Sequence, residues 1–209
     1  MRQGEENSRR GLSGRVGLML LALGLGLLSL GAAKEKPKDT PGNFCWPVGV
    51  VIHHSASPAR LGKKPVQAKE IDAWHDSRGF KVVYEGKVYH IGYHYVILPD
   101  GTVQAGRPEY CQGAHVDAWG MNHWLLGICL VGNFSTRANP DGKLGPARPS
   151  PAQMKALVGL LLKLQEKHPL FMVLRHKDLN PDTECPGDRF PYQDLLKRLA
   201  EAEKSSAKP

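Results

Sequence analysis

Four side chains of types that commonly ligate metals occur in two separate parts of the sequence. His53 and His54 follow a short apolar run, His176 follows another, and Cys185 lies nine positions after His176. A His and a Cys joined by a turn-rich segment can converge on one ion, because the loop between them doubles back. Two His and one Cys form a catalytic zinc set that leaves the fourth position to water. Taken singly, His53 is equally explained as the cap of a strand and Cys185 as a buried thiol.

The elements that must position these residues follow from the apolar pattern. Val48 to Ile52 is a β-branched run that predicts a buried strand ending at the histidine pair. Leu126 to Val131 predicts another buried strand, and Phe171 to Leu174 a last one just before His176. Helices are predicted over 66–77, 150–168 and 192–203, and a hairpin with Asp-Gly at its turn over 90–105. This alternation predicts an α/β fold with a single mixed β-sheet flanked by helices.

The first 33 residues form a separate segment. A basic head is followed by an uncharged run of 18 residues, Val16 to Ala33, that ends in small residues. These are the three parts of a secretory signal, and Ser8 to Leu12 (SRRGL) resembles a twin-arginine export signal. The run is also at the lower limit of what spans a bilayer, so an uncleaved anchor and a buried helix stay open. We expect an exported protein of the periplasm or cell envelope, with anchoring in the inner membrane as the alternative.

Charge and composition limit the partners. The chain has 209 residues and a net charge of +8; residues 1–33 hold four Arg and two Glu, which leaves 24 basic and 18 acidic residues, or +6, on the remainder. A basic balance predicts an anionic partner. Nucleic acid is not expected, because no stripe of Lys and Arg is interleaved with aromatic residues. The expected organisation is a signal peptide or anchor (1–33), a linker (34–44), one domain (45–203) and a disordered tail (204–209).

Several ordered blocks together resemble one family. They are Val51-Ile-His53-His54-Ser-Ala, Gly92-Tyr93-His94-Tyr-Val-Ile, Asp100-Gly-Thr-Val, Gly106-Arg107, Gly113-Ala-His115, Asn122, Gly127-Ile-Cys-Leu-Val-Gly132, His176 and Cys185-Pro-Gly. The set is similar to the type 2 N-acetylmuramoyl-L-alanine amidases, which include amidase-type phage lysozymes and peptidoglycan recognition proteins. The resemblance covers residues 48–199, and it implies a fold of the peptidoglycan-recognition/amidase type.

The resemblance also implies a reaction and its residues. It implies a zinc-dependent amidase that hydrolyses the bond between N-acetylmuramic acid and the L-alanine of the stem peptide in peptidoglycan or muropeptides. With the N-terminal segment, we expect this enzyme to be exported, and we expect it to be a monomer. His53, His176 and Cys185 match the Zn²⁺ ligands. Tyr93 matches a tyrosine beside the metal, and Thr183 matches a position that holds Lys or Thr in different members. These two are the expected catalytic residues.

Substrate contacts are expected from five further residues. They are His54, Arg107, His115, Trp119 and Asn122. The alternative function is a non-catalytic peptidoglycan-binding protein of the same fold. Such relatives lose a metal ligand, usually the cysteine, whereas this chain keeps all three. Membrane contact is expected only through an uncleaved N-terminal segment.

Other residues carry structural expectations. The segment between Gly79 and Gly92 is longer than is typical of the family, and it predicts an added hairpin around Glu85-Gly86 that walls the substrate groove. Cys129 is expected to be a buried small hydrophobe. Cys45 and Cys111 could form a disulfide in an oxidising compartment. His75, Trp74 and Trp124 are expected to be packing residues.

Overall fold

The structure is a computed structural model that describes residues 43–169 and 172–206. The predicted signal or anchor and nearly all of the predicted linker therefore lie outside the described residues. The strands are β1 (Gly49–His54), β2 (Arg60–Leu61), β3 (Lys64–Pro65), β4 (Val82–Tyr84), β5 (Lys87–Tyr89), β6 (Tyr95–Ile97), β7 (Val103–Ala105), β8 (Leu125–Leu130) and β9 (Met172–Arg175). The α-helices are α1 (Ala68–Asp76), α2 (Pro151–Lys167), α3 (His176–Leu179) and α4 (Tyr192–Ser206), and Met121–His123 form one 3₁₀ turn. Within residues 43–169 and 172–206, no helix is both long enough and apolar enough to cross a membrane.

Five strands form one mixed sheet in the order β7-β6-β8-β1-β9. Neighbours among β6, β8, β1 and β9 run parallel, and β7 pairs antiparallel with β6 at the edge. Every residue of β1 and β8 is buried, as expected for parallel strands covered on both faces. The α/β fold with a single mixed sheet is confirmed.

Alternate residues of β1 face different layers of the molecule. Val50 and Ile52 pack with α2 and α4 in the largest apolar cluster, whereas Val51 packs in a cluster on the other side. Because side chains alternate along a strand, His53 shares the face of Val51. On that same face, Ile71 of α1 packs against residues of β6 and β8. The histidine thus lies opposite the face that α2 and α4 cover.

The start of α2 joins the helix to the sheet. Ser150 is its N-cap and Pro151 its first residue, as predicted, and Gln153 completes a capping box with Ser150. The amide of Gln153 is fully buried and also donates to the carbonyls of Ile97 and Val131, both at 3.0 Å. The side chain of Gln153 therefore caps the first turn of α2 and also satisfies backbone carbonyls at the ends of β6 and β8.

Several element boundaries differ from the predicted ones. β1 continues through His54, since its pairing with β8 extends to the His53–Cys129 and His54–Leu130 positions. The predicted strand at 90–98 begins only at Tyr95, because the Gly92 amide donates to His75 Nδ1 rather than to a strand. Phe171, the predicted start of the last strand, lies outside the described residues, and β9 begins at Met172.

The added hairpin predicted around Glu85-Gly86 is present, and β4 and β5 form it.

The structure also gives the environments of the cysteines. Cys129 is buried, as predicted, and Cys45 and Cys111 are free buried thiols on neighbouring segments, where the Cys45 amide donates to the Tyr110 carbonyl at 2.8 Å. The disulfide considered for this pair is thus not formed in this structure.

Glu109 is a nearly buried carboxylate between β6 and the end of α2. It accepts hydrogen bonds from the Tyr95 hydroxyl and the His168 imidazole, and Lys167 Nζ lies 2.7 Å away. Burial by itself would raise the pKa of Glu109, but the hydrogen bonds from His168, Lys167 and Tyr95 outweigh it and lower the pKa from 4.5 to about 2. The ionised carboxylate therefore holds the loop after β7 to α2.

Glu109→Gln should reveal this contribution in acid. A carboxyl whose pKa is lower in the folded state stabilises the fold above its unfolded pKa and loses that effect as the pH falls toward the folded value. The free energy of unfolding of the wild type should exceed that of the variant by a constant amount above about pH 5, and the difference should shrink between 4.5 and about 2. Denaturant titrations at each pH measure it, with Glu201→Gln on the exposed part of α4 as the control. A difference that stays constant down to pH 2 would contradict the assignment.

Candidate metal centre and substrate cleft

His53, His176 and Cys185 meet on the face of the sheet opposite α2 and α4. One ligand atom from each lies within 4.8 Å of the others. Cys185 Sγ is 3.6 Å from His53 Nδ1, and the ring centroids of His53 and His176 are 4.6 Å apart. The structure thus brings together three residues that the sequence separates by up to 132 positions.

Strand register places the two histidines side by side. β1 and β9 are parallel neighbours with Ile52 opposite Arg175, so His53 and His176 each come one position later. The carboxyl ends of adjacent parallel strands are where open α/β sheets place ligands. The segment after His176 doubles back, because the Lys177 amide donates to the Cys185 carbonyl at 2.9 Å. This return puts the thiol within 3.4 Å of the His54 amide.

The hydrogen-bond geometry assigns the tautomer of His53 through His115. His115 Nε2 lies 3.1 Å from the Leu125 carbonyl oxygen, which can only accept, so this nitrogen carries the proton. His115 Nδ1 must then accept, and it lies 3.1 Å from His53 Nε2, which donates. The lone pair of His53 is left on Nδ1, the atom that faces Cys185. Burial, with His115 and His176 nearby, also lowers the pKa of His53 well below 6.5, so the ring is neutral.

Two glycines make the space for His115. A Cβ atom at Gly113 or at Gly127 would lie 2.5 Å from the His115 ring. No side-chain carbon is tolerated at that separation without movement of the ring. The imidazole therefore lies directly against the backbone of Gly113 and Gly127, which helps to fix its position behind His53.

The donor set fits a zinc ion. Nε2 of His176 is buried and has no hydrogen-bond partner among the described residues, an arrangement that costs about 1–3 kcal/mol unless the lone pair is used. Burial lowers the pKa of His176, so this ring too is neutral. Burial raises the pKa of the Cys185 thiol to about 12, and a bound cation would displace its proton. Two neutral imidazoles and one thiolate are a zinc donor set with one open position.

The three residues lie between two cavities. The larger, of about 380 Å³, is lined by His176, His115 and Asn122 among others. The smaller, of about 220 Å³, is lined by His54, Thr183 and Cys185 among others. Three side chains line both cavities: His75, Arg78 and Tyr93. We call the two cavities together the cleft.

Both expected catalytic residues lie in the cleft. The Tyr93 ring centroid is 5.1 Å from that of His53. Burial, together with the thiols of Cys129 and Cys185, raises the pKa of Tyr93 well above 10, so the hydroxyl keeps its proton and can donate at neutral pH. Thr183 Oγ1 accepts from the Cys185 amide at 3.2 Å, which leaves its own proton available for donation.

The expected substrate-binding residues divide into several environments. His54 lines the smaller cavity while its Nδ1 accepts from the Phe134 amide at 3.0 Å. Asn122 lines the larger cavity and ties its loop together, accepting from the amides of His115 and Val116. Trp119 is 99% exposed beside the larger cavity and is not among the residues that line it.

Arg107 and the strands of the added hairpin do not line the cleft. The Arg107 side chain is only 4% exposed and donates to the carbonyls of Ile91 and Gln112. It lines a different cavity, together with Tyr84 and Glu109. Its guanidinium satisfies the backbone of two loops, so the geometry gives no support to a part in substrate binding. No residue of β4 or β5 lines the cleft, whereas Phe80, the first residue of the segment between Gly79 and Gly92, lines the larger cavity.

His75 and Arg78 are the site residues that sequence reasoning missed. His75 was expected to pack, and it does contact Phe80 and Tyr93, but it also lines both cavities. Its Nδ1 accepts from the Gly92 amide at 2.8 Å, so the proton is on Nε2. Burial, with Arg78 and Arg107 nearby, lowers the pKa of His75 to about 4. The sequence did contain a signal for them. His75 and Arg78 follow Ile71 at successive spacings of four and three residues, so all three project from the same side of α1 and its continuation.

Comparisons with known proteins agree with this geometry. The sequence model of the N-acetylmuramoyl-L-alanine amidase family matches residues 46–188. The endolysin of Enterobacteria phage K11 is 35% identical over 136 residues, which cover 65% of this chain and 78% of the endolysin. The amidase LysC from Clostridium intestinale URNW has a similar structure, with a TM-score of 0.59 at 32% identity over 77% of this chain and 91% of LysC.

A further solved structure extends the similarity to receptors. Peptidoglycan recognition protein-LE, solved in complex with tracheal cytotoxin, a monomeric diaminopimelic acid-type peptidoglycan, gives a TM-score of 0.56 at 25% identity, over 78% of this chain and 87% of that protein. Both catalytic and recognition proteins thus share the fold. The family match over most of the folded region, with the endolysin and LysC similarities, shows that the chain belongs to the type 2 N-acetylmuramoyl-L-alanine amidase family.

Proposed function

We propose that this protein is a zinc-dependent enzyme that cleaves the amide between N-acetylmuramic acid and the L-alanine of the peptidoglycan stem peptide. One observation carries the proposal: His53, His176 and Cys185 offer three ligand atoms within 4.8 Å of one another, and His176 and Cys185 line the two cavities of the cleft. The unpartnered Nε2 of His176 supports a metal there. Non-catalytic relatives lose a ligand, usually the cysteine, whereas the triad here is complete, which favours the enzyme.

The residues around the triad have distinct roles in this reaction. Amides resist hydrolysis because the carbonyl is weakly electrophilic and the nitrogen is a poor leaving group. When bound, zinc supplies a Lewis acid that polarises the carbonyl and lowers the pKa of water to about 7. Tyr93 keeps its proton and would donate to the oxygen on which negative charge develops. His75 and Thr183 each present a donor to the cleft and would orient the substrate or water.

The carboxylate adjacent to Cys185 in sequence is turned away from this chemistry. Glu184 accepts from the Ser135 hydroxyl at 2.6 Å and pairs with Arg137 at 3.2 Å. It lines neither cavity of the cleft. Its position therefore offers no support for a role as the acid that protonates the leaving amine.

The proposed setting is outside the cytoplasm. The basic head and apolar run of residues 1–33 support export. The segment would act either as a cleaved signal peptide or as an uncleaved anchor in the inner membrane. Residues 45–203 would then act as a monomeric domain on the cell wall, with attraction between its net positive charge and anionic wall polymers. A relative solved with a monomeric peptidoglycan fragment supports muropeptides as well as the intact wall as substrates.

His176→Ala should abolish both zinc binding and catalysis. It removes a ligand whose lone pair has no other partner, so the variant should contain no stoichiometric zinc and release no stem peptides from peptidoglycan. Elemental analysis and mass spectrometry of digests measure the two effects. His123→Ala, a half-buried histidine outside the triad, is the control. Release that persists in His176→Ala would overturn the zinc assignment, and binding of muropeptide without turnover by the zinc-loaded wild type would favour the recognition protein.

Tyr93→Phe should separate catalysis from metal binding. Loss of one donor to a developing oxyanion lowers kcat by about 10²–10³-fold, while zinc content and thermal stability should stay near those of the wild type. Tyr89→Phe, on the hairpin outside the cleft, is the matched control. Equal kcat values for the wild type and Tyr93→Phe would exclude the hydroxyl from the reaction.

His115→Leu should weaken zinc binding. The apolar side chain removes the acceptor that keeps the proton of His53 on Nε2, and changes behind a metal ligand typically cost about 10–100-fold in metal affinity. Competition with a chromophoric chelator measures the affinity independently of activity. His123→Leu should leave it unchanged. An unaltered zinc affinity in His115→Leu would show that the hydrogen bond does not position His53 for the metal.

A further inference from the structure

Trp119 lies at the tip of a tight turn beside the cleft. The Met121 amide donates to the Ala118 carbonyl at 2.8 Å, which closes a four-residue turn. Its central residues both have positive φ, 48° at Trp119 and 72° at Gly120. This is the type I′ geometry, in which the first central position favours Asn, Asp or Gly. Tryptophan is therefore an unfavourable residue for this backbone.

Packing of the indole does not offset the unfavourable backbone conformation, because Trp119 is 99% exposed. Single exposed apolar residues are common and need no explanation. A large aromatic side chain that is both held in the left-handed region and fully exposed is different, because neither folding nor packing favours it there. Such local strain is typical of functional positions.

The turn is anchored to the cleft by defined contacts. Asn122 accepts from the amides of His115 and Val116 and donates to the Val116 carbonyl at 2.6 Å. Val116, Asp117 and Asn122, on both sides of the turn, line the larger cavity. Trp119 therefore lies just outside the larger cavity, which His176 also lines.

We propose that Trp119 is a platform for the glycan strand of peptidoglycan, beyond the sugar that bears the scissile amide. This rests on the proposed function. The amide joins a short peptide to a sugar polymer, and the triad receives the amide within the cleft. The polymer continues in both directions past that sugar and must leave the cleft across the surface around its mouth, where Trp119 lies. Pyranose rings present apolar C–H faces, which match the flat apolar face of an indole whose N–H remains free to hydrogen-bond.

The platform would select long substrates over small ones. On this proposal a monomeric muropeptide would occupy the cleft without contacting Trp119, whereas a glycan strand would contact both the cleft and Trp119. The indole contact should therefore contribute to the binding of polymer and not to the chemical step at the triad.

Trp119→Asn tests the proposal in the full-length protein. Its affinity for peptide-free glycan strands should fall about tenfold or more, as for the loss of an aromatic anchor, and KM for intact peptidoglycan should rise. Zinc content and kcat and KM for a monomeric disaccharide-peptide should not change. Because Asn suits the turn, the melting temperature should rise by about 2–4 °C. Trp119→Phe should retain most of the glycan affinity, and Val103→Thr, at an exposed position on the edge strand β7, should change nothing.

Three outcomes would overturn the platform. They are unchanged glycan affinity in Trp119→Asn, no measurable binding of peptide-free glycan by the wild type, and an equal rise of KM for the monomeric disaccharide-peptide, which would assign the residue to the peptide side. Failure of the proposed function gives a different result, namely no hydrolysis by the zinc-loaded wild type. Glycan affinity would still be measurable in that case, so the two failures are distinguishable.

Discussion

The parallel pairing of β1 with β9 is the constraint on which the site depends. With Ile52 opposite Arg175, His53 and His176 emerge at the same level of the sheet. A shift of one residue would turn His53 to the face covered by α2 and α4, since strand side chains alternate. The burial of Val50 and Ile52 on that covered face fixes the register. The apolar core and the metal ligands are thus specified by the same alternation.

A chain of hydrogen bonds runs from His53 through His115 to a backbone carbonyl, that of Leu125. The Leu125 carbonyl fixes His115, and His115 fixes His53, so the lone pair that faces Cys185 is set by the backbone of β8, the strand next to β1 in the sheet. Burial favours neutral rings along this chain, because desolvation disfavours imidazolium. Gly113 and Gly127 leave the space in which the His115 ring lies. The arrangement suits a site that must present nitrogen lone pairs in a low-dielectric environment.

Different parts of the molecule carry different parts of the proposed function. Strand ends and the return loop hold the three candidate metal ligands, whereas α1 contributes His75 and the turn after α1 contributes Arg78 to the cleft. The turn at Trp119 extends the same surface outward. Loops set on a rigid scaffold commonly carry binding, and here they would tune substrate preference around a fixed centre.

The sequence by itself determined the fold class, the central strands and the three ligand candidates. β-branched runs such as Val48 to Ile52 predict buried strands from local pattern, Ser150-Pro151 marks a helix start from local capping chemistry, and ordered motifs carry the family resemblance. It did not determine the hydrogen-bond partners of buried polar groups. Arg107 was expected in the substrate groove and lies instead on the carbonyls of two loops, and His75 was expected to pack and lines the cleft. Only the tertiary structure decided these, because strand register and helix docking bring together groups distant in the chain, and no local pattern encodes which carbonyl a buried side chain will meet.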